Sequence, residues 1–240
     1  MKGDPLNVFT VVQVDNKPVI RISGQMIGTL FLPTDYKNYH LKLKFKWGTI
    51  KWSWMKGRPK DGGLLYNYFT TKEGKSFSHE FQIHEGDVGS YWGQGTNVQI
   101  PAELTTKIPT AIKTAKLYLK DLVPELKDTM LMYNQYSSLH QFKGTPGWQI
   151  CLANPQNELN SGEWNILELI CYENNSVHIV NGKVNMIILN AKVKEGDQLI
   201  KMDHGLIQLQ SEGAEIFFKD IVLEQINEVP KVLQRYISKK

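Results

Sequence analysis

Every few residues this chain is punctuated by Gly, Asn, Asp or Pro, and the runs between are short and rich in β-branched and aromatic residues. Runs of that length leave room for strands and little room for helices. Residues 8–14, 19–23, 41–47, 63–69, 79–84, 164–172, 177–180, 184–189, 206–210 and 214–223 read as strands. In the stretch HLKLKFKW at 40–47, lysines alternate strictly with Leu41, Leu43, Phe45 and Trp47. That is the pattern of a strand with one buried and one solvated face. Asn181-Gly182, between two apolar runs, is a two-residue hairpin signal, and Asn174-Asn175 marks a second turn. So many strands with so little helix predict an all-β antiparallel sandwich or jelly roll.

Residues 93–162 break the rhythm, being rich in Pro, Asn, Thr and Gly. Within them 111–122 reads as a short helix or a strand, limited by Pro124. The expectation is one jelly-roll domain over 1–226 with a long irregular insertion at about 93–162. A tail over 227–240 follows, either a short amphipathic helix or a frayed end.

The charge balance excludes some functions. A net charge of +4 with dispersed lysines gives no basic stripe interleaved with aromatics at a groove, as nucleic-acid binding requires. No apolar run approaches the roughly 20 residues needed to cross a bilayer. The opening MKGDP lacks the apolar core of a signal peptide, so the expectation is either a cytoplasmic protein or the mature part of an exported one. Cys151 and Cys171 lack metal-site spacing. Two buried thiols and one disulfide between neighbouring strands suit them equally.

The chemistry concentrates in HEFQIHEGDVGSYW at 79–92. Alternation places His79, Phe81 and Ile83 on one face and Glu80, Gln82 and His84 on the other. A sandwich core accounts for the first set. A carboxylate, an amide and an imidazole in a row on the opposite face are the lining of a site. Retaining glucanases on jelly rolls carry Glu-x-Asp-x-Glu with the same parity, but here Gln82 and His84 fill the second and third places. Ordinary retaining hydrolysis needs two carboxyl groups about 5–5.5 Å apart, and this row offers one. Glu85 and Asp87 follow as ligands or turn residues beside Gly86 and Gly89. His178 shares a strand face with Val180, and a lone strand histidine is more often structural than catalytic. Gln208 and Gln210 alternate with Ile207 and Leu209, and their amides suit sugar hydroxyls. Trp52 and Trp54 are the tryptophans expected to be most exposed, and Trp92 follows the candidate strand directly. DGG at 61–63 reads as a turn, with no helix after it to make a nucleotide motif.

DGGLLYNY at 61–68, the 79–92 segment, GEWNILELICY at 162–172, HIVNG at 178–182 and IQLQSEGAEIFFKDI at 207–221 occur in that order. Together they resemble the 3-keto-disaccharide hydrolase family, over about 8–223. The resemblance implies a concanavalin-like jelly-roll sandwich of two antiparallel sheets, and export from the cytoplasm to the periplasm or beyond. It also implies action on glycosides already oxidised to a ketone at sugar C3. The ketone acidifies the C2 hydrogen, a base removes it, the C1 group leaves, and water adds to the enone. On this reading Glu80, His84 and His178 are catalytic, one of the two histidines being the base. Gln82, Glu85, Asp87, Trp92, Gln210 and Glu212 contact substrate, an oligosaccharide or other glycoside. The cofactor stays open, with a divalent metal ion as the candidate. The family usually begins with a further strand ahead of the segment at residue 8; this sequence starts after that point, so the expectation is either a trimmed chain or a member without the strand. A non-catalytic, lectin-like carbohydrate-binding module is the alternative, and an ordinary retaining glycosidase the second.

Overall fold

The computed structural model describes residues 4–71, 74–119, 128–144 and 148–237. The strands β1 (Phe9–Val14), β2 (Lys17–Ile22), β3 (Gly28–Phe31), β4 (Tyr39–Lys51), β5 (Asp61–Thr70) and β6 (Ser76–His84) come first. Then β7 (Tyr91–Gln94) and β8 (Thr96–Thr105) lead to helix α1 (Thr110–Leu119). Three short strands follow, β9 (Met130–Tyr133), β10 (Leu139–Phe142) and β11 (Trp148–Cys151). The chain closes with β12 (Asn165–Tyr172), β13 (Asn175–Val180), β14 (Lys183–Glu195), β15 (Gln198–Lys201), β16 (Leu206–Ser211), β17 (Ala214–Gln225) and helix α2 (Lys231–Ile237). Each strand expected from the sequence is present.

The strands form a jelly-roll sandwich of two antiparallel sheets. The larger runs β1-β2-β17-β4-β12-β13-β14-β8-β10, with β15 beside β14 and β9 beside β8. The smaller, six-stranded sheet runs β11-β7-β6-β5-β16-β3. Alternation in β4 sends Leu41, Leu43, Phe45 and Trp47 into the core. Its lysines stay outside, where Lys44 pairs with Asp220 at 2.8 Å and Lys46 lies over the Trp164 ring. Leu64, Tyr66, Phe81 and Ile83 of the smaller sheet meet them. Each such side chain contributes roughly 1.5–3 kcal/mol by leaving water.

The β13–β14 hairpin turns on Asn181 (φ 49°) and Gly182 (φ 77°), the left-handed pair that a two-residue turn needs. The β12–β13 turn falls one residue before the expected Asn174-Asn175, with Glu173 at φ 50°. The asparagines are used otherwise: Asn174 Nδ2 donates to Ala191 O, and Asn175 Oδ1 accepts from Asn190 N.

The segment 93–162 is more regular than its composition suggests. β8 is an internal strand of the larger sheet, and β11 is an edge strand of the smaller one. Pro101 within β8, and lengths of four residues for β9, β10 and β11, hide them from a periodicity reading. The 111–122 element is a helix as far as Leu119; residues 120–122 lie outside the described residues. The tail forms α2, and its Leu233 is fully buried in a cluster with Val177 and Ile187. Residues 238–240 lie outside the described residues. Cys151 and Cys171 are both buried and free.

A polar seam crosses the core beneath β6. His178 Nδ1 donates to Gly89 O at 3.0 Å, and its Nε2 accepts from Tyr66 Oη at 2.9 Å. Its ring stacks on Phe81 with centroids 4.2 Å apart. His178→Ala removes two buried hydrogen bonds and a packed ring, and is expected to cost about 3 kcal/mol of unfolding free energy in a urea titration. A loss under about 1 kcal/mol would contradict this structural role.

Candidate functional site

Register builds the site on the outer face of the smaller sheet. Leu65 of β5 pairs with Gln208 of β16 on one side and with Glu80 of β6 on the other. Glu80 in turn pairs with Trp92 of β7, and Trp92 with Ile150 of β11. Two residues along, Gly63 pairs with Gln82, and two further, Asp61 pairs with His84. Side chains two apart share a face, so Asp61, Glu80, Gln82, His84, Trp92 and Gln208 project together. Gln210 joins them, and its Nε2 donates to Glu212 Oε1 at 3.2 Å.

Gly63 is the opening through which this row converges. A Cβ there would overlap both Gln210 Oε1 and Glu80 Oε1. Any larger residue would hold the carboxyl and the amide apart. Glu80, Gln82, His84 and Trp92 are buried, whereas Asp61, Gln210 and Glu212 are only half-buried, so the cluster meets solvent along its β5–β16 side.

The electrostatics follow from crowding three carboxyl groups out of water. Burial pushes Asp61 up to about 7, although its Oδ1 accepts from Gly62 N and Arg58 opposes the rise. Burial and the Asp61 charge push Glu212 up to about 8. Glu80 is pushed up by burial, then by Glu212 and Asp61. A carboxyl that ionises makes ionisation of its neighbour harder. Burial drops His84 to about 4, leaving its imidazole neutral at pH 7. Among the described residues, three of the buried polar atoms without a hydrogen-bond partner belong to this face: His84 Nδ1, Trp92 Nε1 and Gln210 Oε1. A ligand that fills the cleft would satisfy them.

Other expected site residues lie elsewhere. His178 is sealed between the sheets, on the larger sheet, beneath Phe81, while Glu80 points from the opposite face of β6. It cannot reach a ligand beside Glu80, and the catalytic expectation for it is corrected to a core role. Asp87 is also buried away from the row. Its Oδ1 accepts from Ser90 Oγ at 2.7 Å and from Gln156 Nε2 at 3.1 Å, which clamps the β6–β7 turn to the segment after β11. Glu85 sits at the rim, where Lys60 N donates to its Oε2 and Lys60 Nζ stands 3.5 Å from its Oε1.

Asp61 is the residue that the sequence reading passed over. DGG opens β5 as strand and is not a turn. The parity of Asp61, Gly63 and Leu65 against His84, Gln82 and Glu80 was the available signal. Glu158 is a second, accepting from Gly86 N at 2.7 Å and from Trp47 Nε1 at 3.0 Å. Among the described residues no three His, Cys, Asp or Glu side chains gather closely enough to hold a metal ion. The divalent ion that the resemblance suggested therefore has no ready ligand set among them.

The two-sheet β-sandwich thus carries carboxyls, amides and indoles together on one sheet face. Residues 10–224 match the 3-keto-alpha-glucoside-1,2-lyase-like domain, and the chain belongs to that family. A search of curated proteins finds no match. Two solved Parabacteroides distasonis proteins, each described as a proposed glycosyl hydrolase, are 15% identical. One covers 90% of this chain and 90% of its own at TM-score 0.48, the other 92% and 85% at 0.49. A carbohydrate-binding module of Bacillus subtilis is 9% identical over 90% of this chain and 92% of its own, at TM-score 0.43. Likenesses this distant concern the fold and say nothing of the chemistry.

Two predictions rest on this geometry. Gly63→Ala pushes apart the flexible ends of Glu80 and Gln210, so saccharide binding is lost while stability changes by no more than about 1 kcal/mol. Retained binding in calorimetry would contradict the convergence. The second concerns pH. Asp87, lifted to about 8, Glu212 to about 8, and Asp61 and Glu158 to about 7 hold protons when folded that they release near their ordinary values of 3.8 and 4.5 once unfolded. The folded state binds more protons in between, so their contribution to stability is fully present at about pH 4 and is lost as pH rises to about 8. His79 and His178, lowered to about 3, act oppositely, and their contribution is lost as pH falls from 6.5. Asp87→Asn keeps the oxygen that Ser90 and Gln156 use, and is expected to flatten the fall of Tm between pH 6 and 9. An unchanged slope would contradict the assignment.

Proposed function

We propose that this protein cleaves glycosides already oxidised to a ketone at C3, by elimination across C1–C2 and addition of water. The observation that carries the reading is the convergence of Asp61, Glu80 and Glu212 on one sheet face, each carboxyl pushed up by burial and set beside unsatisfied donors and acceptors. Family membership supports the same chemistry.

The steps balance within the cluster. An ionised carboxylate takes the proton from C2, which the C3 ketone has made acidic. The electron pair passes to an enolate, and its collapse forms the C1=C2 bond and breaks C1–O. A neighbouring protonated carboxyl gives its proton to the leaving oxygen. Water then adds across C1=C2. A carboxylate with its pKa near the working pH is a better base here than His84, whose imidazole is too weakly basic at about 4. Neutral His84 instead serves as a hydrogen-bond donor to the enolate oxygen, and Gln82 and Gln210 orient hydroxyls.

The test is incubation with a 3-keto glucoside and with its unoxidised parent. Release from the ketone alone is expected, rising through pH 7 and falling above pH 8. Glu80→Gln is expected to lower kcat at least about 100-fold. Release from the parent alone would sink the elimination mechanism, and inactivity on both would favour a binding module.

A further inference from the structure

The side-chain amide of Gln210 stands between two of the three carboxyls. The pairing that sets Gln208 opposite Leu65 and Leu209 opposite Leu64 carries Gln210 to Gly63, whose missing side chain leaves the amide room. At one end its Nε2 donates to Glu212 Oε1 at 3.2 Å. At the other end its Oε1 meets Glu80. Gln210 Oε1 and Glu80 Oε1 lie 1.9 and 2.5 Å from the one point that a Gly63 Cβ would take, so at most 4.4 Å separates them. Gln210 Oε1 is buried, and among the described residues no donor reaches it.

An amide oxygen and an ionised carboxylate are both acceptors, and two acceptors brought together out of water repel. A protonated carboxyl carries a donor and removes the conflict. The same amide turns its N–H end to Glu212, and a bond donated to a carboxylate favours the ionised form. The two ends of Gln210 therefore act oppositely on the two carboxyls. Asp61 faces both from β5 and raises both, so it does not choose between them, and Arg58 acts on Asp61. The bond to Glu212 fixes which end of the amide Glu80 meets.

We propose that Gln210 is a positioning residue: oriented by Glu212, it keeps a proton on Glu80 and so makes Glu80 the acid of the elimination. The acid role rests on the glycoside-cleaving reading, whereas the placement of the proton does not. Asp61, which ionises before Glu212, is left as the base. It takes the C2 proton while Glu80 gives its own to the leaving oxygen as C1–O breaks. The Glu80 anion then faces Gln210 Oε1 and recovers a proton from the water whose oxygen bonds to C1, as Asp61 returns its proton to C2. The test is a carboxyl-carbon NMR titration of the free protein, Gln210→Met and Glu80→Gln. In Gln210→Met the Glu80 midpoint is expected to fall by about one pH unit or more while that of Glu212 rises. In Glu80→Gln the new amide donates to Gln210 Oε1 as the acid does, so the Glu212 midpoint is expected to stay where it is. Unmoved midpoints in Gln210→Met, shifts in the same direction or the reverse pair would overturn the proposal. So would a Glu212 midpoint that falls in Glu80→Gln, since Glu80 would then have been ionised. Cleavage of a 3-keto glucoside is scored separately. The expected shifts in a protein that does not cleave it would sink the enzymatic reading and keep the proton on Glu80, while cleavage with unmoved midpoints would do the reverse.

Discussion

Three carboxyl groups drawn out of water within one another's field cannot all be ionised near neutral pH. Asp61, Glu80 and Glu212 are held in that condition by the strand register of β5, β6 and β16 and by the missing side chain of Gly63. The other face of the same strands belongs to the sandwich core, where Phe81 and Ile83 are fully buried. Sliding β6 by one residue would exchange the two faces, placing Glu80 in the core and Phe81 in the cleft. Core packing and site chemistry are therefore fixed by one register.

The surroundings keep that arrangement rigid. Asp87 and Glu158 tie the turn after β6 to the segment after β11 and to Trp47 of β4. His178, beneath Phe81, links Tyr66 to Gly89 within the core. These are titratable residues in structural posts. They hold the end of β6 from which His84 projects.

Alternation made most of the sandwich legible, because a strand with one wet face writes its burial into every second residue. The β4 lysines and the β6 row are cases of this. β8 escaped because its alternation, with Thr96, Val98 and Ile100 buried between half-exposed Asn97 and Gln99, is short and is interrupted by Pro101. Asp61 escaped because Asp-Gly-Gly has the composition of a turn; only the pairing of β5 with β6 shows that Gly63 serves as space for other side chains. His178 was misplaced for a related reason. Parity assigns it a face of its own strand, but not whether that face meets a cleft or the opposite sheet.

The proposed chemistry depends most on the raised proton affinity of these carboxyls. Its direct measurement is a carboxyl-carbon NMR titration of protein labelled at Asp and Glu, from pH 4 to 10, in the native chain and in Asp61→Asn. Asp61 is expected to titrate near 7 and Glu212 near 8 in the native chain, and removing the Asp61 charge is expected to lower the Glu212 midpoint. Ordinary titration of both below pH 5, with Glu212 unaffected by the substitution, would contradict the account.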